Sequence, residues 1–233
     1  MKLSIVIPCY NESKNIPLIL AEYAKFTIVG ETEIVLVNNG STDETAPVLR
    51  TLAPKYPFLK IITVEVNQGY GFGILAGLKA STGEFIGWTH GDMQTPPSDI
   101  LKVLELINSN EGKKNIYIKG RRHGRPLFDR IFTFGMNIFE TVYLGQWLTD
   151  INAQPNIFHR SFFETWKKPP TDFSLDLYAF YLARQRKMEV IRFDVEFLKR
   201  IHGESHWNKD FASKWKFIKR TMEFSLKLKK NNI

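Results

Sequence analysis

Residues 3–12 decide the fold, and they read Leu-Ser-Ile-Val-Ile-Pro-Cys-Tyr-Asn-Glu. The first five are mostly apolar and β-branched, and Pro8 follows them, as in a short strand that runs into a polar loop. Three later segments repeat this pattern, and they are Glu33–Val37, Lys60–Val66 and Glu84–Trp88. We therefore predict four strands between residues 3 and 88.

Helical patterns separate these strands. We predict helices at Ser13–Phe26, Asp43–Leu52 and Tyr70–Ala80, with Ser41 and Asp43 as candidate N-caps of the second helix. Short apolar strands that alternate with helices indicate βαβ units. The predicted fold class is therefore α/β, with a mostly parallel central sheet flanked by helices.

The second half of the chain is less regular. We predict four helices and two strands there; the helices are Pro96–Ile107, Phe128–Leu148, Asp172–Arg186 and Lys209–Lys230, and the strands are Asn115–Lys119 and Met188–Phe197. No internal repeat or low-complexity linker interrupts this pattern.

Composition and length bound the class of protein. The chain has 233 residues, of which 43% are hydrophobic and 24% charged, so it can bury its own core. Its one cysteine, Cys9, excludes an intrachain disulfide framework and a cysteine-based zinc site. We see no signal peptide and no apolar run of roughly 18 residues, the length that spans a bilayer. We therefore expect a cytoplasmic protein, soluble or bound to a surface.

Positive charge is concentrated in two segments. The formal net charge is +8, and residues 111–130 and 209–233 contain seven and eight Lys or Arg, respectively, with two acidic residues each. Such clusters indicate an anionic partner, which is a phosphorylated ligand, an anionic lipid or a nucleic acid. Because no nucleic-acid-binding module is recognisable, we predict no nucleic-acid partner.

The basic segment Lys209–Lys230 places apolar side chains three to four residues apart. Two arrangements fit this pattern: a helix that lies on an anionic membrane, or a terminal helix that packs its apolar stripe on the domain. The concentration of charge favours the membrane, so we predict a peripheral position on its inner face.

Polar or glycine-rich loops follow all four predicted strands of the first half. They are residues 8–12, 38–43, 67–73 and 90–97. Parallel α/β sheets bind ligands beyond the carboxyl ends of their strands. Loops of this kind also serve ordinary turns, but four in succession predict one shared ligand crevice.

These loops, together with Gly120-Arg121, residues 150–155 and residues 200–205, resemble family 2 glycosyltransferases. Within that family the chain is most similar to the dolichol-phosphate mannosyltransferase-like branch, which uses polyprenyl phosphate. The resemblance implies a Rossmann-like glycosyltransferase A fold with a C-terminal amphipathic helix. It also implies a catalytic domain at 1–207, with a nucleotide-binding half at 1–95 and an acceptor half at 96–207. Residues 208–233 then form the basic helix.

The resemblance assigns the nucleotide to the first two loops. It implies that the nucleotide-binding residues are Pro8, Tyr10, Glu12, Asn39 and Asp92. The family often has Asp-Asp-Gly-Ser where this chain has Asn38-Asn39-Gly40-Ser41. Asparagine both donates and accepts hydrogen bonds, so the identity of the base stays open.

The family's Asp-x-Asp motif binds a divalent cation that bridges the donor diphosphate. The corresponding residues here are His90, Asp92 and Gln94, so a histidine replaces the first aspartate. Carboxylate and amide oxygens suit Mg²⁺ or Mn²⁺, while an imidazole nitrogen favours Mn²⁺. His90 has a second interpretation, in which it hydrogen-bonds a phosphate or a backbone carbonyl.

The resemblance also assigns the arginines. Arg121 and Arg130 match positions that hold the acceptor phosphate, and Arg200 matches one that steadies the donor diphosphate. A solvated loop is the alternative for the run that contains Arg121. The implied catalytic residues are Asp92, Arg200 and a base, which only a hydroxyl acceptor needs.

Three aspartates are candidates for that base: Asp150, Asp172 and Asp176. The segment 172–176 resembles the part of the family that lies near the acceptor, and of the three we choose Asp176. Each of them also has an ordinary interpretation as a helix cap or a surface charge.

The implied activity is the inverting transfer of a sugar, in the hexosyltransferase class, from a nucleoside diphosphate-sugar to polyprenyl phosphate. The alternatives are a soluble glycan hydroxyl as acceptor, or an inactive nucleotide-sugar-binding homologue. Relatives in this branch often carry transmembrane helices after the catalytic domain, so we expect a membrane subunit or interfacial docking here. Gly71–Ala76 also satisfies a dinucleotide-binding pattern, but that reading leaves the other three loops unexplained.

Overall fold

The computed structural model describes the backbone of residues 1–124, 127–198, 200–202 and 211–230. Side chains are described in these ranges except at 127–134 and 211–217. The strands are β1 Leu3–Cys9, β2 Thr32–Asn39, β3 Leu59–Val64, β4 Phe85–Trp88, β5 Ile116–His123, β6 Asn156–His159 and β7 Glu189–Glu196. The α-helices are α1 Ile16–Phe26, α2 Thr45–Leu52, α3 Tyr70–Ala80, α4 Asp99–Ser109, α5 Leu127–Leu144, α6 Arg160–Glu164, α7 Leu175–Gln185 and α8 Phe211–Lys230.

The seven strands form one sheet in the order β3-β2-β1-β4-β6-β5-β7. The first four strands of that order pair in parallel, and so do β5 and β7. Strand β6 is antiparallel to both of its neighbours, β4 and β5. The predicted α/β fold with a mostly parallel sheet is therefore confirmed. Strand β6 and helix α6 were not predicted, because four residues carry too little periodicity to indicate a strand.

Both faces of the sheet are covered, which is why the parallel strands read as continuous apolar runs. All eight residues of β2 are buried. One core layer lies around Trp88, Tyr117 and Phe158, and the other contains Leu20 and Leu36. The carboxyl edge of the sheet is left for the loops.

The predicted N-caps of α2 were wrong. Helix α2 begins after Glu44, and no side chain caps it at that position. Asp43 instead accepts hydrogen bonds from the backbone N–H groups of Thr45 and Ser13, at 3.0 and 3.3 Å. Ser41 Oγ accepts one from the backbone N–H of Asn11 at 3.0 Å. Both side chains therefore tie the loop after β2 to the loop after β1.

Helix α3 starts next to the loop that precedes α7. Gly69, with φ +107°, ends the loop after β3, and the backbone N–H of Phe72 donates to the Thr171 carbonyl at 2.9 Å. A Cβ on Gly71 would lie 2.6 Å from the Asp172 carbonyl oxygen, so only glycine allows this approach.

Among the described helices, none combines the length and hydrophobicity needed to cross a membrane.

Candidate active site

The four predicted strand-end loops meet at one cavity of about 770 Å³ at the carboxyl edge of the sheet. They contribute 14 of its lining residues, which are Pro8, Cys9, Tyr10, Asn11, Glu12, Asn39, Asp43, Asn67, Gly69, Tyr70, His90, Gly91, Asp92 and Gln94. Residues of β5, α5, α7 and α8 complete the wall. The predicted convergence on a single crevice is therefore what the structure contains.

The loops after β1 and β2 are joined by Asn11, which has a left-handed backbone with φ +57°. Its side-chain oxygen accepts a hydrogen bond from the backbone N–H of Thr42 at 2.8 Å. Glu12 accepts one from Asn15 Nδ2 at 2.5 Å, and burial followed by the nearby charge of Asp92 raises the pKa of Glu12. Tyr10 lies at the rim and is 41% exposed.

Asn39 lines the cavity and contains a buried acceptor atom. Its Nδ2 donates to the Gly69 carbonyl at 2.9 Å and lies 3.5 Å from Asn67 Oδ1. Because the Gly69 carbonyl is an acceptor only, the amide nitrogen must point toward it. Asn39 Oδ1 is buried and has no hydrogen-bond partner among the described residues. The Asn39 side chain therefore has one acceptor atom that no described group uses.

Asp92 and Gln94 converge on a positive charge. Arg200 Nη2 lies 2.6 Å from Asp92 Oδ2 and 3.3 Å from Gln94 Oε1. The Gln94 amide is oriented by its nitrogen, which donates to the Leu198 carbonyl at 3.2 Å. Asp92 Oδ1 accepts from the backbone N–H of Gln94 at 3.1 Å. Gly203, Glu204 and Ser205, which follow in the predicted motif, lie outside the described residues.

This arrangement bears on the predicted cation site. Within the described part of the chain, no three His, Cys, Asp or Glu side chains are grouped to hold a metal ion. Two oxygens, however, already surround the guanidinium of Arg200, and His90 lines the same cavity. A carboxylate oxygen and an amide oxygen are ligands that suit a hard divalent cation. The residues present therefore fit such an ion.

Of the two adjacent arginines of β5, Arg122 lines the cavity and Arg121 does not. Arg121 pairs with Asp194 at 2.6 Å, and both side chains are 57% exposed. Arg122 lines the cavity and is nearly buried, with its Nε donating to Asp150 at 2.8 Å. Burial raises the pKa of Asp150, but the charge and hydrogen bonds of Arg122 outweigh it and leave this pKa below its usual value. The side chain of Arg130, on α5, lies outside the described residues.

Asp176 is the candidate base that lines the cavity. Its Oδ1 accepts hydrogen bonds from Trp88 Nε1, Gln154 Nε2 and Asn156 Nδ2, at 3.2, 2.7 and 3.0 Å. Burial raises the pKa of this carboxyl group, and the nearby Lys119 and His90 oppose the shift. Asp150 is bound to Arg122, and Asp172 pairs with Arg220 on α8.

Sequence reasoning missed several residues of the site, notably Arg122, Asn137, Phe173 and Thr221. Adjacent side chains of a strand point to opposite faces, so Arg121 and Arg122 cannot both enter one cavity. That alternation is a signal in the sequence, but which of the two faces the site depends on the register of β5. Nothing in the sequence marks Thr221.

A mostly parallel sheet with a crevice at its carboxyl edge and these side chains defines a glycosyltransferase A type of fold. A sequence model described as glycosyl transferase family 2 matches residues 4–173, well over half of the chain. The chain therefore belongs to this family.

Two relatives are undecaprenyl-phosphate 4-deoxy-4-formamido-L-arabinose transferases. The one from Sodalis glossinidius is 37% identical over 109 residues, which cover 45% of this chain and 33% of the relative. The one from Photorhabdus laumondii is 26% identical over 211 residues, which cover 89% of this chain and 63% of the relative. The match thus spans 33% of the length of the first relative and 63% of the length of the second, which is less than two thirds in both cases.

Solved structures with a similar fold include a synthase and a mannosyltransferase. Glucosyl-3-phosphoglycerate synthase from Mycobacterium tuberculosis, bound to Mn²⁺, UDP and glucosyl-3-phosphoglycerate, has a TM-score of 0.71 and 16% identity; the match covers 100% of this chain and 80% of that one. The mannosyltransferase PcManGT from Pyrobaculum calidifontis, bound to GDP-Man and Mn²⁺, has a TM-score of 0.66 and 17% identity, with 94% and 60% covered. At these identities the likeness establishes the fold.

Proposed function

We propose that this protein is an inverting glycosyltransferase that moves a sugar from a nucleoside diphosphate-sugar to polyprenyl phosphate. The observation that carries the proposal is a single crevice lined by Asn39, Arg200 and Arg122. Asn39 has an acceptor that could bind a nucleotide base, and the two arginines are cations that could bind a diphosphate and a second phosphate. Family membership and the names of the relatives support the same reaction class. Residues 1–95 and Arg200 supply the donor side, and the other later segments supply the acceptor side.

The donor base meets Asn39 Oδ1, and its ribose lies against Pro8, Tyr10 and Glu12. We take the partner of this buried acceptor to be the ring nitrogen of the Watson–Crick edge, which is an N–H donor in uracil and guanine. Adenine and cytosine present an acceptor nitrogen at that ring position, and the two acceptors would then face each other unpaired, which costs affinity. The proposed donor is therefore a uridine or guanosine diphosphate-sugar.

The diphosphate lies against Arg200, whose planar guanidinium suits phosphate oxygens. Asp92, Gln94 and His90 would hold a divalent cation, Mn²⁺ or Mg²⁺, which neutralises the charge on the departing nucleoside diphosphate. Arg200 already pairs with Asp92, so in this proposal the carboxylate and the diphosphate share one guanidinium.

The acceptor phosphate lies against Arg122, whose orientation Asp150 fixes; Arg121 and Arg130 remain the residues that the resemblance indicates. A phosphate attacks as an anion and needs no base, so Asp176 would orient a hydroxyl of the transferred sugar. A soluble glycan hydroxyl is the second candidate acceptor, because Asp176 is positioned to take up its proton. Co-sedimentation with anionic vesicles separates these cases, because a polyprenyl phosphate acceptor requires the protein to bind the vesicles.

Titration calorimetry tests the donor assignment. We expect UDP or GDP to bind, ADP and CDP to bind at least tenfold more weakly, and Mn²⁺ to strengthen binding. Asn39→Leu removes the acceptor and should abolish discrimination between the bases. Asp92→Asn should weaken the effect of Mn²⁺. Absence of binding by all four nucleotides would contradict the proposed function, and binding without transfer to any acceptor would favour an inactive homologue.

A further inference from the structure

Helix α8 belongs to the wall of the cavity, although the sequence places it after the predicted catalytic domain. Thr221 lines the cavity, and the neighbouring Arg220 reaches the loop between α6 and α7. We propose that Arg220 is a positioning residue for the nucleotide-sugar site, so that the basic C-terminal helix and the donor pocket act as one unit. This inference rests on the proposed function for its catalytic consequence.

Arg220 makes two contacts with adjacent residues of that loop. Its Nε lies 3.6 Å from Asp172 Oδ2, and its guanidinium carbon lies 5.2 Å from the centre of the Phe173 ring. Both distances are within the range of an ion pair and of a cation–π contact. One side chain of α8 therefore holds the loop by charge and by an aromatic ring at the same time.

Phe173 transmits this hold to the donor side of the cavity. Its ring stacks on Tyr70 with a centroid distance of 4.5 Å and an angle of 10° between the rings. Tyr70 in turn lies 5.9 Å from the ring of His90. Arg220, Phe173, Tyr70 and His90 thus form a column from α8 to the end of β4, and the last three line the cavity.

The same loop supports both helices that carry site residues. Asp172 Oδ1 accepts a hydrogen bond from the backbone N–H of Ser174 at 2.8 Å, just before α7 and Asp176. The Thr171 carbonyl accepts the N–H of Phe72 in α3, and Gly69, which precedes that helix, holds the Asn39 amide. A displacement of the loop therefore moves the base acceptor and the Asp176 carboxylate together.

Each contact of Arg220 is partly exposed, and such contacts add little to global stability. Their removal should instead loosen the loop and misplace the donor, since a small displacement in a binding site has a large effect on rate. We expect Arg220→Ala to raise the KM for donor about tenfold, within the usual range of coupling between sites. The KM for acceptor and the unfolding midpoint should change much less.

Hydrogen exchange followed by mass spectrometry tests the positioning itself, with no ligand present. In Arg220→Ala, backbone amides in residues 69–73 and 170–176 should exchange about five- to tenfold faster. Those of β1 and β2 should keep the wild-type rate. Arg220→Lys, which retains the charge, should restore part of the protection. Lys219→Ala is the matched control, because Lys219 is exposed and pairs with Glu223 on its own helix.

A double-mutant cycle on donor affinity adds the functional readout. Arg220→Ala and Phe173→Leu should weaken donor binding together by less than the product of their single effects, because both act through one stack. Wild-type exchange in Arg220→Ala would overturn the inference whatever the ligand is. Failure of the wild-type protein to bind UDP or GDP would instead overturn the proposed function, while the exchange result would still decide the role of Arg220.

Discussion

Lys119 and Asp176 are both buried, and Asn156 lies between them. Lys119 Nζ donates to Asn156 Oδ1 at 2.6 Å, and Asn156 Nδ2 donates to Asp176 Oδ1 at 3.0 Å. The ammonium also donates to the carbonyls of Ile151 and Ala153 at 2.7 and 2.8 Å. Burial lowers the pKa of Lys119 and raises that of Asp176, and each group opposes the shift of the other. This network lies behind Asp176, which lines the cavity.

Replacing Lys119 should lower the free energy of unfolding of the protein. Lys119→Met leaves three acceptors and the Asp176 charge without their cation, and removal of one partner from a buried charged network costs about 3–5 kcal/mol. Urea unfolding at pH 7 measures the loss. The control is Lys113→Met, since Lys113 and its partner Glu189 are both about half exposed, and its effect should stay below about 1 kcal/mol. Equal losses in the two variants would contradict the prediction.

Glu140 makes stability depend on pH. It is buried between α5 and α8, where Ser225 Oγ donates to it at 2.5 Å, and burial raises its pKa to about 7. Because the folded state holds this proton more tightly than the unfolded state, stability falls as the pH rises from about 4.5 to 7. Glu140→Gln cannot ionise, so it should exceed the wild type in stability by about 3 kcal/mol at pH 8.

Urea unfolding at pH 5 and pH 8 checks this difference, which should nearly vanish at the lower pH. Glu223→Gln on α8 is the control, because Glu223 is 56% exposed in its pair with Lys219. A Glu140→Gln variant with the same advantage at both pH values would show that the ionisation is not the cause.

Gly71 should not tolerate a methyl group. A Cβ there would lie 2.6 Å from the Asp172 carbonyl oxygen and 2.7 Å from the Thr171 carbonyl carbon, so backbone must move. Gly71→Ala should cost about 1–3 kcal/mol and weaken nucleotide binding. Gly135→Ala in α5 is the counterpart, since among the described atoms none lies within 4 Å of its Cβ. That variant should gain up to about 1 kcal/mol, as measured by thermal and urea unfolding.

Arg122 and Arg121 should differ in their effect on the acceptor. Because Arg122 lines the cavity and Arg121 does not, Arg122→Ala should raise the KM for polyprenyl phosphate at least tenfold, or about 1.4 kcal/mol. Donor affinity should be unchanged. The paired variant Arg122→Ala with Asp150→Asn avoids a buried unpaired carboxylate. Steady-state kinetics with Arg121→Ala as control decides: the reverse order of effects would restore the assignment that the resemblance implies.

Local signals predicted the first half of the fold well. Helix α3 begins and ends at Tyr70 and Ala80 as predicted, because Gly69 supplies the break before it. The second half depends on pairing between distant segments: β6, four residues long, is defined by its neighbours β4 and β5 rather than by its own pattern.

The same limit applies to the site. The loop pattern predicted that Asn39 and Asp92 belong to the site. The direction of the Asn39 amide, however, depends on the Gly69 carbonyl, thirty positions away. Likewise, the choice between Arg121 and Arg122 depends on Asp194 and Asp150, whose positions only the folded chain determines.

The chain's one cysteine, Cys9, is fully enclosed at the end of β1, and burial raises the pKa of its thiol far above the ordinary range. A maleimide dye should therefore not react with the native protein. A cysteine introduced at the exposed Lys227 of α8 would then be the sole labelling position, with no background to remove. Energy transfer or spin-label spectroscopy from that point can follow the C-terminal helix as donor or vesicles are added, in an otherwise unaltered protein.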